Sequence, residues 1–250
     1  MGPLKLDAAG VFAEAQKFQK KLTAGMKVLG TLDDVQFGVT PKEEVYREDK
    51  LVVYRFRGDR KPTAKTPTLI VYALVNRPYM VDLQEDISLV RNLLAQGEDI
   101  YLIDWGYPDR ADRWLTLDDY INGYIRRSVD AVARHAGVKK IHPQKVKNLI
   151  TMVTPVDFHT PDNMLSNWTR NMDADLFVDT IGNVPADLMN WCYLTLKPMR
   201  LLQQKYVGMV DILDDKVELE NFLRMEKWIF DSPDQAGEAF RQFMRDFYQG

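Results

Sequence analysis

Cysteine occurs once in these 250 residues, at Cys192, against three histidines and four serines. A single cysteine excludes an intramolecular disulfide and makes a reducing compartment the natural setting. Long apolar runs are missing as well. None approaches the roughly 20 residues that a membrane-spanning helix needs, and the opening MGPLKLDAAG lacks the apolar core of a signal peptide. Nor is there an excess of one charge: 33 Lys and Arg are mixed with 36 Asp and Glu, for a net charge of -3 and a pI near 5.7. That balance argues against a broad nucleic-acid footprint. What remains is a cytoplasmic globule, in which 46% hydrophobic residues supply the material for a core.

The order of elements is that of an α/β protein. Helical spacing of Val11, Phe12, Ala15, Phe18 and Leu22 gives residues 1–44 an amphipathic helix that stops near Gly30. EEVYREDKLVVYRFRGD alternates and is rich in Val and Tyr, which predicts one or two strands at an antiparallel edge. The run TLIVYALV (68–75) reads as a strand covered on both faces. It is followed by a helix over 83–97 that stops at Gly97, and by a second buried strand in DIYLIDWGYPD. A third helix over 116–136 opens on Thr116 with Asp119 three residues later, a capping-box start. VKNLITMVTP (146–155) reads as a further buried strand. Alternating strands and helices imply a parallel sheet wound by right-handed crossovers over residues 45–155. Residues 156–250 keep helical periodicity, with many aromatics and methionines and no clear buried strand, as a helical cap would.

The stretches LIVYALVNRPYMVDLQEDISLVRNLLAQGEDIYLIDWGYPDRADRWLTLDDYINGYI, TMVTPVDFHTP and ILDDKVELENFLRMEKWIFDSPDQAGEAFRQF resemble the catalytic subunit of class III polyhydroxyalkanoate synthases. The similarity runs from about Val45 to the last residue. It implies an α/β-hydrolase fold with a cap, and an acyltransferase that polymerises (R)-3-hydroxyacyl-CoA through a cysteine nucleophile with a histidine base and an aspartate. It implies no metal and no cofactor beyond the CoA thioester substrate. The partners it implies are a second, different subunit, a homodimer or the polymer granule.

The family's cysteine stands in a G-x-C-x-G elbow, on a tight turn between a strand and the following helix. This chain has neither G-x-C-x-G nor G-x-S-x-G. In HAGVKKIHPQKVKNLITMVTP (135–155), GVKKI matches the start of the elbow strand and HPQKVKNL the loop after the elbow helix. A strand and helix of roughly 20 residues are thus expected to be missing between Ile141 and His142. The family's aspartate and histidine fall beyond the last residue, so no catalytic residue is assigned. Loss of the elbow strand would leave unpaired edges inside the sheet, unless strand 148–154 pairs directly with 68–75.

The surroundings of such a site are still present. Backbone amides of Val75 or Asn76, in the loop VNRP after the first buried strand, are the oxyanion candidates. Asp104 and Trp105 end the next strand, and Asp157 and His159 follow the expected strand 146–155, so these four are the substrate-cleft candidates. Each has a structural reading too: turn caps for the polar residues, packing under the cap for Trp105. Cys192, between Trp191 and Tyr193 with no glycine turn, reads as a buried structural thiol, and His135 and His142 as solvated. The chain is therefore expected to be an inactive, internally deleted form of that catalytic subunit. The alternatives are a non-catalytic module that binds the partner subunit, another protomer or a granule, and a hydrolase with an unrecognised nucleophile.

Overall fold

The computed structural model describes residues 36–138, 146–155, 157–160, 164–196, 205–213 and 215–249. The helix expected within 1–44, which stops near Gly30, and His142 lie outside the described residues. The chain forms two units, one of residues 37–190 and 228–250 and the other of 1–36 and 191–227.

The first unit is built on a mixed four-stranded sheet. Strands β1 (Lys42–Glu48) and β2 (Leu51–Phe56) form an antiparallel hairpin. Asp49 turns the corner at φ 50°, in the left-handed region that aspartate tolerates. β2 then pairs antiparallel with β4 (Ile100–Asp104), which pairs parallel with β3 (Thr68–Val71), so the order is β1-β2-β4-β3. β4 is the most deeply covered strand, with Ile100, Tyr101, Leu102 and Ile103 all at most 2% exposed. Each such side chain contributes roughly 1.5–3 kcal/mol of apolar burial. Successive β4 residues feed opposite faces. Tyr101 and Ile103 join Leu51, Val53, Trp105, Tyr120, Tyr124 and Val132 on one side, while Ile100 and Leu102 join Phe56, Val81 and Val90 on the other.

The helices follow their sequence signals where caps exist. Helix α1 (Leu89–Ala95) starts at Ser88, whose side chain accepts from the Arg91 amide at 3.0 Å, and Gly97 ends it at φ 85°. The expected helix over 83–97 is shorter at its front. There the nearly fully buried Asp82 carboxylate takes hydrogen bonds from the Thr40 amide (3.0 Å), the Thr40 hydroxyl (2.7 Å) and the Ser88 hydroxyl (2.6 Å), holding 82–88 in a non-helical turn. The capping box at Thr116 is present: Thr116 N donates to the Asp119 carboxylate at 2.8 Å and Asp119 N to the Thr116 hydroxyl at 3.2 Å. It opens a wide π-helical stretch (Asp119–Ile125) that runs on into α2 (Arg126–His135).

Beyond residue 155 the described elements are helices: α3 (Met164–Thr169), α4 (Ala174–Ile181), α5 (Ala186–Leu196), α6 (Lys205–Asp211), α7 (Lys216–Phe230) and α8 (Gly237–Phe243). Within the first unit α4 and α8 are tied by Arg241, which meets Asp175 at 2.5 Å and Asp179 at 2.6 Å. In the second unit Arg224 of α7 donates to the Gln36 carbonyl at 3.2 Å.

Two expectations are overturned. Residues 146–155 do not form a strand and do not pair with 68–75. Leu149, Ile150, Met152 and Val153 are 83%, 80%, 66% and 102% exposed. Their apolar character matched a buried strand, but a strand forms only when the run is laid against a partner ladder, and among the described residues this run pairs with none. Cys192 is exposed rather than buried, in the middle of α5. Its neighbours Trp191 and Tyr193 are exposed too, so the aromatic residues of this helix do not mark a core-facing stripe.

Candidate functional site

β3 and β4 run parallel, so their C-terminal ends deliver the loop 72–77 and the Asp104–Trp105 corner to the same edge of the sheet. Arg77, in that loop, joins the two: its guanidinium meets Asp104 in a two-pronged ion pair, Nη1 to Oδ1 and Nη2 to Oδ2, each at 2.8 Å. The same guanidinium donates to the Gly106 carbonyl at 3.2 Å and lies 4.3 Å from the centre of the Tyr107 ring. Asp104 Oδ1 also accepts from the Gly106 amide at 3.0 Å, which caps the turn. Gly106 sits at φ 73°, and a Cβ there would meet the Lys50 carbonyl at 2.6 Å, so glycine is required on both counts.

Trp105 is 8% exposed, stacks edge-on against Tyr120 and donates its indole N–H to the Tyr72 carbonyl at 2.9 Å. It thereby packs beneath the loop. Val75 and Asn76 are half-buried in that loop, and Asn76 Nδ2 donates to the Ser232 hydroxyl at 3.2 Å.

The other wall is the segment after α7, DSPDQAG (231–237), which the sequence reading did not single out. Asp231 accepts from the Tyr79 hydroxyl at 2.8 Å and the Tyr107 hydroxyl at 2.5 Å. Gln235 donates to the Leu74 carbonyl at 3.0 Å, and Trp228 to the Arg77 carbonyl at 2.8 Å. Burial, reinforced by donation to Asp231, pushes the Tyr107 hydroxyl up to about 12, and the same causes raise Tyr79 further. Both phenols are therefore donors at neutral pH. The missed residues carried only a weak signal: Arg77 adjoins the oxyanion candidates, and the Ser, Pro and Asp of 231–234 mark a turn without saying where it lands.

Asp157 and His159 are not gathered here by any contact they make. The Asp157 carboxylate accepts from the His159 amide at 2.8 Å in an exposed local turn. His135 is exposed, as expected of a solvated residue, though its Nδ1 lies 2.9 Å from the Tyr101 hydroxyl. The cavities beside the site are small. One lies among Leu74, Trp105, Pro108, Tyr120, Gln235 and Ala239, another among Lys50, Trp105, Asp112 and Tyr124, each of about 10 Å³. That is room for about one water molecule. Among the described residues no cluster of three His, Cys, Asp or Glu could hold a metal ion, and no helix is long and apolar enough to cross a membrane.

No protein-family model matches the chain. Individual proteins do, along its whole length. The poly(3-hydroxyalkanoate) polymerase subunit PhaC of Allochromatium vinosum is 56% identical over 269 residues, which cover 100% of this chain and 76% of that protein. The protein of the same name from Thiocystis violacea is 56% identical over 268 residues with the same coverage. That of Synechocystis sp. is 50% identical over 262 residues, covering 94% of this chain and 69% of its own length. The first comparison spans 269 positions against 250 residues here, and 269 less 250 leaves about 19 positions with no residue of this chain. Identity at this level over this much of both partners means that the chain belongs to the poly(3-hydroxyalkanoate) polymerase PhaC subunit family.

Proposed function

We propose that this chain is a non-catalytic form of the polymerase subunit, an incomplete α/β-hydrolase core with its helical cap. The observation that carries this reading is the bare edge of β3. Among the described residues β3 pairs only with β4, and residues 146–155 lie exposed off the sheet. In an α/β-hydrolase the elbow strand belongs at that edge, and its turn would stand a nucleophile beside the loop 72–77. The positions missing relative to the Allochromatium vinosum protein are about as many as one strand and one helix need, and we place them between Ile141 and His142.

Acyl transfer from a (R)-3-hydroxyacyl-CoA needs a thiolate or alkoxide to attack the thioester carbonyl carbon, a base to take the proton, and donors for the oxyanion while the CoA thiolate leaves. This chain offers the loop of Val75 and Asn76 as a donor, and Asp104 acts as a positioning residue that holds this loop through Arg77. It offers no nucleophile at elbow spacing. Residues 139–145, KKIHPQK, contain neither cysteine nor serine. Ser88 caps α1, Ser128 is fully buried in α2, Ser166 donates to the Phe158 carbonyl, and Ser232 donates to the Ile229 carbonyl at 2.9 Å. Cys192 is mid-helix in α5. The small cavities agree with this reading, since neither could seat an acyl chain. What the chain retains is surface for its family's associations, with a second subunit, another protomer or a granule. Trp168 and Phe230, about half exposed, belong to that surface.

The test is release of CoA from (R)-3-hydroxybutyryl-CoA by the chain as it stands. The expected rate is that of buffer. Release above it overturns the proposal, and the Cys192→Ala variant then tells whether Cys192 or another group is the nucleophile.

A further inference from the structure

We infer that two copies of this chain associate by strand exchange, residues 147–154 of each copy pairing with the open edge of β3 in the other. The acceptor is built like an inner strand. Leu69 packs into the core cluster on one face of the sheet and Ile70 into the cluster on the other, yet β3 has no partner on its second side among the described residues. Sheets usually protect an edge with a lysine, a proline or a bulge. Thr68-Leu69-Ile70-Val71 carries none of these.

The donor is built like a strand and is not used as one. In KNLITMVT (147–154), Leu149, Ile150, Met152 and Val153 combine strand propensity with exposures of 66% or more. Val153 sits at φ 52°, a region where a β-branched side chain is strained. Extension into a strand would relieve that strain, pair the free backbone groups and cover the four apolar side chains in one step.

The occupant of the edge is a second copy because one chain carries both halves of the interface and, in its own fold, leaves them apart. Exchange between two copies fills both edges and closes the pair around a two-fold axis. This inference rests on the exposed edge and segment alone, so it stands or falls separately from the absence of catalysis.

The experiment uses two full-length chains, both with Cys192→Ala. One carries Val71→Cys, at the exposed end of β3, and the other Ile150→Cys, at the middle of the donor. In a mixture of the two, a cross-link can form only between copies. A short bismaleimide tolerates a register error of about two residues, at about 3.3 Å per residue. The expected results are a cross-linked dimer on a denaturing gel and a dimer in sedimentation of the unmodified chain. Ile150→Lys, at a position 80% exposed within one copy, should weaken the dimer at least about tenfold while leaving the monomer folded. A monomer at tens of micromolar, an absent cross-link, an open-ended polymer, or a dimer indifferent to Ile150→Lys would each overturn the inference.

Discussion

Replacing Asp104 with asparagine keeps its size and its bond to the Gly106 amide but removes the charge that Arg77 meets. Both side chains are shielded, at 13% and 17% exposure, and the Arg77 Nε is already a buried donor without a partner. The variant would strand a guanidinium against the Tyr107 ring and the Gly106 carbonyl. Removing one partner of a fully buried pair costs about 3–5 kcal/mol, and this partly shielded pair should cost about 2–3 kcal/mol. A urea titration should show the midpoint falling at unchanged slope. A loss within about 0.5 kcal/mol, the range of a neutral surface change, would mean that the ion pair does not hold the loop. At this scale the sequence was partly readable. Asp104 and Asn76 could be picked out because residues at the carboxyl ends of buried strands meet at one edge. Their bridge through Arg77 could not, because it depends on how far each strand extends, and β3 stops at Val71 where the apolar run suggested 75. Asp157 and His159 follow a run that forms no strand here, and the structure shows them in a local turn in which the Asp157 carboxylate accepts from the His159 amide.

The start of α1 shows how one side chain can decide where an element begins. Ser88 accepts from the Arg91 amide and donates to Asp82, so Ser88→Ala removes both a helix cap and one of the donors that neutralise a buried carboxylate. The cap is worth about 1 kcal/mol and the bond to a charged group about 1.5–3 kcal/mol, which together predict a loss of about 2–4 kcal/mol. Amide exchange at Val90–Leu94 should accelerate more than exchange in β4. Uniform acceleration would mean that the cap is not a local lock. Elements whose signals are local were legible: the alternation of β1 and β2, the capping box at Thr116, the glycine stop at Gly97 and the deeply buried β4. Elements that depend on distant partners were not. Residues 83–87 have helical spacing, but the demands of Asp82 outweigh it. Residues 146–155 have the composition of a strand, but composition does not lay a run against an edge, and among the described residues they pair with no strand. Cys192 shows the same limit in a helix, because an apolar neighbourhood in sequence becomes a buried one only if something packs against it.

For the first unit as a whole, the tyrosines of its main core set an upper pH limit. Tyr101 and Tyr120 share one hydrophobic cluster with strand residues Val53 and Ile103 and with Ala236 and Ala239 around the start of α8, so opening this cluster unlocks the sheet and α8 together. Both rings are under 8% exposed, and burial pushes each phenol from 10.0 up to about 12. Tyr124, beside them, is raised as well by burial and by its hydrogen bond to Asp49. A phenol that holds its proton more tightly folded than unfolded adds stability that is fully present below the unfolded value near 10 and is lost as pH rises through the folded value. Stability should therefore fall between about pH 10 and pH 12. The fall should be steeper than a single group would give, since several buried phenols titrate on unfolding. Measured together, phenolate absorbance and the melting midpoint should show the exposed tyrosines ionising first with little effect, then a second rise in absorbance that coincides with loss of structure. Tyr120→Phe tests the assignment directly. It removes one buried ionisable group from the same packing site, so it should make the alkaline decline shallower while leaving stability at neutral pH within about 1 kcal/mol, because that hydroxyl makes no hydrogen bond among the described residues. An alkaline transition unchanged in the variant would show that the core tyrosines do not set the limit.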